Sequence, residues 1–285
     1  MKTALSADGT KIAFDLTGDG PPVILVVGAF NERPTGAPLA QALESEFTVL
    51  NYDRRGRGAS TDTQPYAVER EIEDLDALIR AAGGAAQVFG YSSGAILALE
   101  AASHGLNITQ LALYDAPFMV GDERPRPSKD VASQLAKLVT AGRRGEAVEL
   151  FQTRLVGIPE DVVAQMRYAP FRPALEAIAH TLVYDATLVG DMTLPMAKLR
   201  TIEAPTLVVY GGASPAFMGS AANVMAKALP DGQVRGLEGQ THDIDPAVLG
   251  PVLLEFFGGR SVRLSELSKL AAAADEARRF SGEVV

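Results

Sequence analysis

The run Val23-Ile24-Leu25-Val26-Val27 constrains the fold most strongly. Side chains along a strand alternate between faces, so an unbroken apolar run makes a strand only where both faces are covered. That is the condition of a parallel sheet held between helices. The run is far too short to cross a bilayer. The pattern recurs at Phe47-Thr48-Val49-Leu50-Asn51-Tyr52, Gln87-Val88-Phe89-Gly90, Leu111-Ala112-Leu113-Tyr114 and Pro205-Thr206-Leu207-Val208-Val209-Tyr210. A further strand is expected over 11–15 after the Asp8-Gly9 turn, and a last short one near Val234. Between the strands, 69–82 carries Ile72, Leu75, Ala77, Leu78 and Ile79 on one helical face. Residues 94–102 are rich in Ala and Leu, and 247–257 read as a final helix. Alternation of this kind predicts an α/β fold, a mostly parallel central sheet flanked by helices.

The segment 118–202 holds no convincing strand. It reads as helices over 129–141, 145–155, 159–166 and 173–183, and it is too long for a loop. The expected organisation is a core of 3–117 and 203–258 with an inserted helical cap at 118–202. Because the insertion leaves the core at a strand end, where sites lie, it is expected to act as a lid over a pocket. The tail 259–285 changes character: Val262, Leu264, Leu267 and Leu270 punctuate an Ala-rich polar stretch that suits either an amphipathic helix or a frayed, appended tail, and no function is assigned to it.

Composition excludes several chemistries. With no cysteine among 285 residues, disulfides, thiolate metal sites, iron–sulfur clusters and a thiol nucleophile are all ruled out. Three histidines make a multi-histidine metal site an unlikely design, so neither metal nor cofactor is expected. A net charge of −9 repels phosphate backbones, which disfavours nucleic acid. No membrane span is foreseen, and the first residues lack an apolar signal core, so the expected location is cytoplasmic and the expected partner a small-molecule substrate.

Gly90-Tyr91-Ser92-Ser93-Gly94 matches G-x-S-x-G between an expected strand and an expected helix. A serine in such a turn projects its hydroxyl above the sheet, and the next amide, that of Ser93, lies at a helix N-terminus where it can stabilise an oxyanion. The plainer alternative for Ser92 is a capping serine beside a glycine turn. A serine needs a base. His104 ends the helix after Ser92 and is explained by that position. His180 falls in the inserted region. His242, in Glu238-Gly239-Gln240-Thr241-His242-Asp243, comes last in the chain order serine, acid, histidine, and is the expected base. For the acid, Asp115 stands at the end of the Leu111 to Tyr114 strand and is the first choice; Asp243 and Asp245 are its rivals. The second oxyanion donor is expected from the loop Gly28-Ala29-Phe30-Asn31, at the amide of Ala29 or Phe30. Tyr91, Phe118 and Met119 are expected to wall an apolar pocket.

These residues resemble the α/β-hydrolase superfamily over 3–258. The resemblance rests on the strand–Gly90-Tyr91-Ser92-Ser93-Gly94–helix element, the late His242, and Asp53-Arg54-Arg55-Gly56-Arg57-Gly58, similar to the family's D-x-R-G-x-G turn. The insertion after Tyr114 matches the family's usual cap position. Two departures stand out: Ser214 occupies a region where the family more often has an acid, and Tyr91 stands where His is frequent. A bacterial subgroup of similar sequences carries its acid after the strand equivalent to Leu111–Tyr114, which favours Asp115. The resemblance implies a serine hydrolase cleaving a carboxylic ester, lactone or related acyl compound through an acyl-enzyme. The alternatives are an acyltransferase or cofactor-free perhydrolase using the same residues, or a non-catalytic small-ligand binder on the same fold.

Overall fold

The computed structural model describes residues 1–121 and 124–259. The amphipathic helix considered for the tail falls almost wholly outside the described residues. The chain opens with an antiparallel pair, β1 (Lys2–Leu5) and β2 (Lys11–Thr17). It continues through β3 (Pro22–Val26), α1 (Arg33–Leu43), β4 (Thr48–Tyr52), α2 (Val68–Ala81), β5 (Ala86–Tyr91), α3 (Ser93–Ser103) and β6 (Ile108–Tyr114). It then leaves the sheet for α4 (Val131–Thr140), α5 (Arg144–Phe151), a π turn (Gln152–Val156), α6 (Glu160–Met166) and α7 (Arg172–Ala177). A 3-10 turn (Ala179–Thr181), α8 (Leu182–Val189) and α9 (Met196–Leu199) complete the excursion. The core resumes with β7 (Thr206–Gly211), α10 (Ala216–Ala228), β8 (Gly232–Leu237) and α11 (Pro246–Phe257).

The strands form one eight-stranded sheet in the order β1-β2-β4-β3-β5-β6-β7-β8. β2 pairs antiparallel with β4, and every pairing from β4 to β8 is parallel. From β3 the chain runs first to β4 on one side and then to β5 on the other. The crevice above such a reversal, at the carboxyl ends of the strands, is where α/β sheets bind ligands.

The strand residues sort as the sequence demands. In β3, Val23 and Leu25 pack with α1 and α11, while Ile24 and Val26 pack with α2 and α3 on the opposite face. All four are at most 1% exposed. Fully burying each such side chain is worth about 1.5–3 kcal/mol, which explains why an uninterrupted apolar strand sits at the centre of the sheet.

The structure corrects several sequence expectations. The sequence reading places no element over 33–43, where the structure has α1 with Pro34, Gly36 and Pro38 inside it, residues that ordinarily disfavour a helix. Pro34 sits in the first turn, where no donor is missed, and burial of Leu39, Ala40 and Leu43 against α11 outweighs the donor lost at Pro38. The helix expected over 173–183 is instead α7, the 3-10 turn and the start of α8. The expected 145–155 helix ends at Phe151 and continues as a π turn, which Gly157 closes in the left-handed conformation.

Candidate active site

Ser92 sits between β5 and α3 with φ 56° and ψ −126°, far from the conformations a serine ordinarily adopts. Its N–H donates to Tyr114 O at 3.0 Å, and its own carbonyl accepts from Ala95 N at 2.9 Å. The strand and helix approach so closely that a Cβ at residue 90 would lie 2.6 Å from Ala95 Cα. A Cβ at residue 28, in the neighbouring loop, would lie 2.8 Å from the Ser92 Cβ. Glycine at these two positions therefore makes room for the serine, a close-approach role.

Three side chains named from sequence meet at this point. His242 Nε2 lies 3.1 Å from Ser92 Oγ, and His242 Nδ1 lies 3.1 Å from Asp115 Oδ2. Asp115 is buried, whereas the His242 side chain is about one-third exposed. The carboxylate is held from further sides: Ser214 Oγ donates to Oδ2 at 2.6 Å and Gly211 N donates to Oδ1 at 3.1 Å. Ser214, where an acid would be more usual, thus serves an acid supplied one strand earlier. The His242 loop is tied down by Tyr114, whose hydroxyl donates to Thr241 O at 2.6 Å. The Tyr91 ring lies against His242 with centroids 5.1 Å apart. Burial, together with the charges of Asp243 and Asp115, pushes the Tyr91 phenol upward and keeps it neutral. A hydroxyl, an imidazole and a carboxylate in one hydrogen-bonded file can pass a proton from the first to the second while the third steadies the resulting charge.

The rival acids are engaged differently. Asp245 caps α11, its Oδ1 accepting from Ala247 N at 2.9 Å. Asp243 lines the cavity beside His242. His104 caps the end of α3, with Nδ1 2.8 Å from Glu100 O. His180 lies in the 3-10 turn, where burial lowers its basicity.

Backbone strain gathers here. The non-glycine residues with positive φ are Phe30 (63°), Ser92 (56°), Asp115 (48°) and Met192 (61°) among those described. Such conformations cost roughly 1–3 kcal/mol each and persist where surrounding contacts enforce them. Phe30, Ser92 and Met192 line one cavity, and Asp115 is bonded to a fourth lining residue, His242.

That cavity holds about 440 Å³. Its sheet-side wall includes Ala29, Phe30, Tyr91 and Pro117, and its other wall includes Phe151, Leu155, Val189 and Met192 from the excursion between β6 and β7. Among the described residues no lysine or arginine lines it. The expectation that Phe118 and Met119 face the pocket is corrected. Both are at most 3% exposed within the core; the chain turns at Ala116, whose carbonyl accepts from Phe118 N, and Met119 bridges to Thr193. Pro117 takes the wall position instead. Among the described residues no group of three or more His, Asp or Glu side chains could hold a metal ion.

Beneath the serine turn lies a buried polar network that the sequence reading missed. Arg54 grips both oxygens of Glu71 at 2.7 Å and reaches Asp185 Oδ1 at 2.8 Å. Arg57 donates to Asp185 Oδ2 at 2.6 Å and to Gly28 O at 2.6 Å, reaching the loop that carries Ala29 and Phe30. Ser93 Oγ donates to Asp185 Oδ1 at 2.8 Å. Burial opposes charge on Asp185, yet Arg57 and Arg54 hold its carboxyl below the usual aspartate range. Asp185 comes from α8, so this network fastens the inserted helices to the sheet. Its only sequence trace is the pair Arg54 and Arg57 in one short turn.

Comparison with known proteins agrees with this architecture. A crystal structure of an alpha/beta hydrolase from Sphaerobacter thermophilus DSM 20745 is 54% identical, covering 90% of this chain and 100% of that one, with a TM-score of 0.85. The uncharacterized hydrolase YraK of Bacillus subtilis (strain 168) is 33% identical over 100 residues, which are 34% of this chain and only 37% of that protein. The pimeloyl-[acyl-carrier protein] methyl ester esterase of Xanthomonas campestris pv. campestris (strain B100) is 28% identical over 75% of this chain and 96% of its own length. The model of the alpha/beta hydrolase family matches residues 4–249. With the eight-stranded sheet and the serine turn between β5 and α3, that match shows that this chain is an enzyme of the alpha/beta hydrolase family.

Proposed function

We propose that the protein is a serine hydrolase that cleaves a carboxylic ester, lactone or related acyl compound. Ser92 Oγ attacks the acyl carbonyl while His242 Nε2 takes its proton. Asp115 keeps the imidazole oriented and balances its charge. The Ser93 amide and the amide of Ala29 or Phe30 donate to the oxyanion. His242 returns the proton to the leaving oxygen, giving an acyl-Ser92 ester and free alcohol. Water, deprotonated by His242, then attacks that ester and releases the acid, restoring Ser92.

The observation that carries this reading is the file Ser92–His242–Asp115, with 3.1 Å at each step, opening on an apolar cavity. The lack of lysine and arginine among the described lining residues argues against an anionic substrate. The helices between β6 and β7 supply much of the cavity wall, which supports their reading as a cap over the site at 118–202.

The test is to trap the intermediate. Acid-quenching the enzyme during turnover of p-nitrophenyl butyrate and mapping its peptides should find a butyryl group on Ser92. Turnover without any acyl adduct on Ser92, even for a slowly deacylating ester, would refute this mechanism.

A further inference from the structure

Asp243 follows His242 directly, lines the cavity that contains Ser92 and is exposed. Its N–H donates to Thr241 Oγ1 at 3.3 Å, but its carboxylate has neither a hydrogen bond nor an ion pair among the described residues. The neighbouring acids are engaged: Asp115 with His242, Ser214 and Gly211, and Asp245 with the first turn of α11. Asp243 is the only acid among the described lining residues, and no lysine or arginine joins it there. Arg124 meets the lining residues Leu155, Val156 and Phe217 without itself lining the cavity. It donates to the first two carbonyls at 2.6 and 2.8 Å and lies over the Phe217 ring.

The charge of Asp243 is felt inside the site. After burial, it does most to raise the phenol of Tyr91, a lining residue whose ring lies against His242. Low-dielectric walls focus the field of a charge placed in a cleft. Here the walls are apolar and include the rings of Phe30, Phe151 and Phe217, and ring faces themselves attract cations. The position of the carboxylate also selects one end of the substrate. In the proposed acylation His242 gives its proton to the leaving oxygen, so the alcohol portion passes the base and the residue beside it. The acyl portion is left to the apolar wall of Phe151, Leu155, Val189 and Met192.

We propose that Asp243 is a specificity-determining residue and that the substrate is an ester whose alcohol portion carries an ammonium group. The cation meets the Asp243 carboxylate beside the Tyr91 ring while the acyl chain lies against the apolar wall. This inference rests on the reading of Ser92 as nucleophile and His242 as base.

The test compares butyrylcholine with 3,3-dimethylbutyl butyrate, which puts carbon in place of the charged nitrogen at nearly constant shape, by following acid release. At low ionic strength the wild type should favour the cationic ester in kcat/KM by about three- to tenfold. That ratio should shrink toward one as sodium chloride approaches about 1 M, where screening acts within about 3 Å. Asp243→Asn should bring the ratio near one and Asp243→Lys below it. Each ratio is taken within one enzyme, so an effect of the substitution on His242 itself cancels. Moving the charge to the acyl side, with ethyl 4-(trimethylammonio)butanoate against ethyl 5,5-dimethylhexanoate, should give no such preference. A wild-type ratio of one or less at low salt, a measurement that needs no variant, would overturn the proposal. So would a preference that survives in Asp243→Asn, or a larger one for the cation on the acyl side. Acid-quench mapping separates the two readings. Butyryl-Ser92 formed from the neutral ester, with no preference for the cation, defeats the Asp243 assignment alone. Hydrolysis of neither ester, or hydrolysis with no adduct on Ser92, defeats the nucleophile assignment as well.

Discussion

Ser92 and Ser93 are neighbours in the chain and face opposite layers of the molecule. Above the turn, Ser92 Oγ meets one imidazole nitrogen at 3.1 Å and borders an accessible cavity. Below it, Ser93 is 2% exposed and its hydroxyl is committed to Asp185, itself gripped by two arginines. Both layers are built from the same materials: a serine hydroxyl, a buried aspartate and a cationic or basic partner. They differ in access. The lower layer balances Arg54 and Arg57 against Glu71 and Asp185 in full burial, which gives it rigidity and leaves no face open to a substrate. The upper layer keeps the His242 side chain about one-third exposed and ends on a hydroxyl facing a cavity. On the proposed reading, reactivity follows from access rather than from residue type.

The comparison breaks most visibly at the upper serine. Ser92→Ala should lower kcat for ester hydrolysis by about 10⁴- to 10⁶-fold while the melting temperature stays close to wild type; steady-state kinetics beside a thermal melt would show whether loss of activity and loss of stability part company. Next in size is Asp115→Asn, for which kcat should fall about 10⁴-fold as the imidazole loses its orienting charge. With its oxygen toward Gly211 the amide still accepts from Gly211 N, and its nitrogen donates to the Ser214 hydroxyl, so far-ultraviolet circular dichroism should be unchanged. If activity is retained, the acid lies elsewhere.

The lower layer should fail in the other currency. Asp185→Ala removes the carboxylate partner of Arg57 and one of the two carboxylates of Arg54 in the core, and unfolding free energy in urea should drop by about 3–5 kcal/mol. A drop within experimental error would mean that the network does not fasten the inserted helices. The smallest effect is one of pH. Because Arg57 and Arg54 outweigh burial and hold the Asp185 carboxyl below its ordinary value of 3.8, the unfolded chain takes up a proton before the folded one does. The stability supplied by Asp185 is therefore fully present above that value and lost as pH falls below it toward the lowered folded value. Melting curves from about pH 6 down to about pH 3 should fall more steeply for the wild type than for Asp185→Asn.

What the sequence disclosed follows the range of the interactions involved. Strands covered on both faces announce themselves locally, as β3 does, because burial of alternate residues leaves a continuous apolar run. The serine turn is equally local, since glycine must stand where strand and helix touch. Asp115 and His242 could be named because each ends or follows an element at the upper edge of the sheet. That they lie within bonding distance of each other, across 127 positions, is a tertiary fact. The partners of the arginines were illegible for the same reason: Asp185 sits 128 positions from Arg57 on an ordinary-looking helix. α1 was hidden by prolines whose cost tertiary packing absorbs. Phe118 and Met119 were assigned to the pocket from proximity in sequence alone, which a single turn of the chain at Ala116 undoes. The π turn at Gln152 has no local signature, since its residues suit an α-helix as well.

The most direct measurement sets the two serines against each other. Purified wild type and Ser92→Ala are treated with an alkyl fluorophosphonate, and the adduct is mapped by tandem mass spectrometry. The account predicts a stoichiometric adduct on Ser92 in the wild type, none on Ser93, and no labelling of the variant. An adduct on Ser93, or labelling that persists in Ser92→Ala, would contradict it.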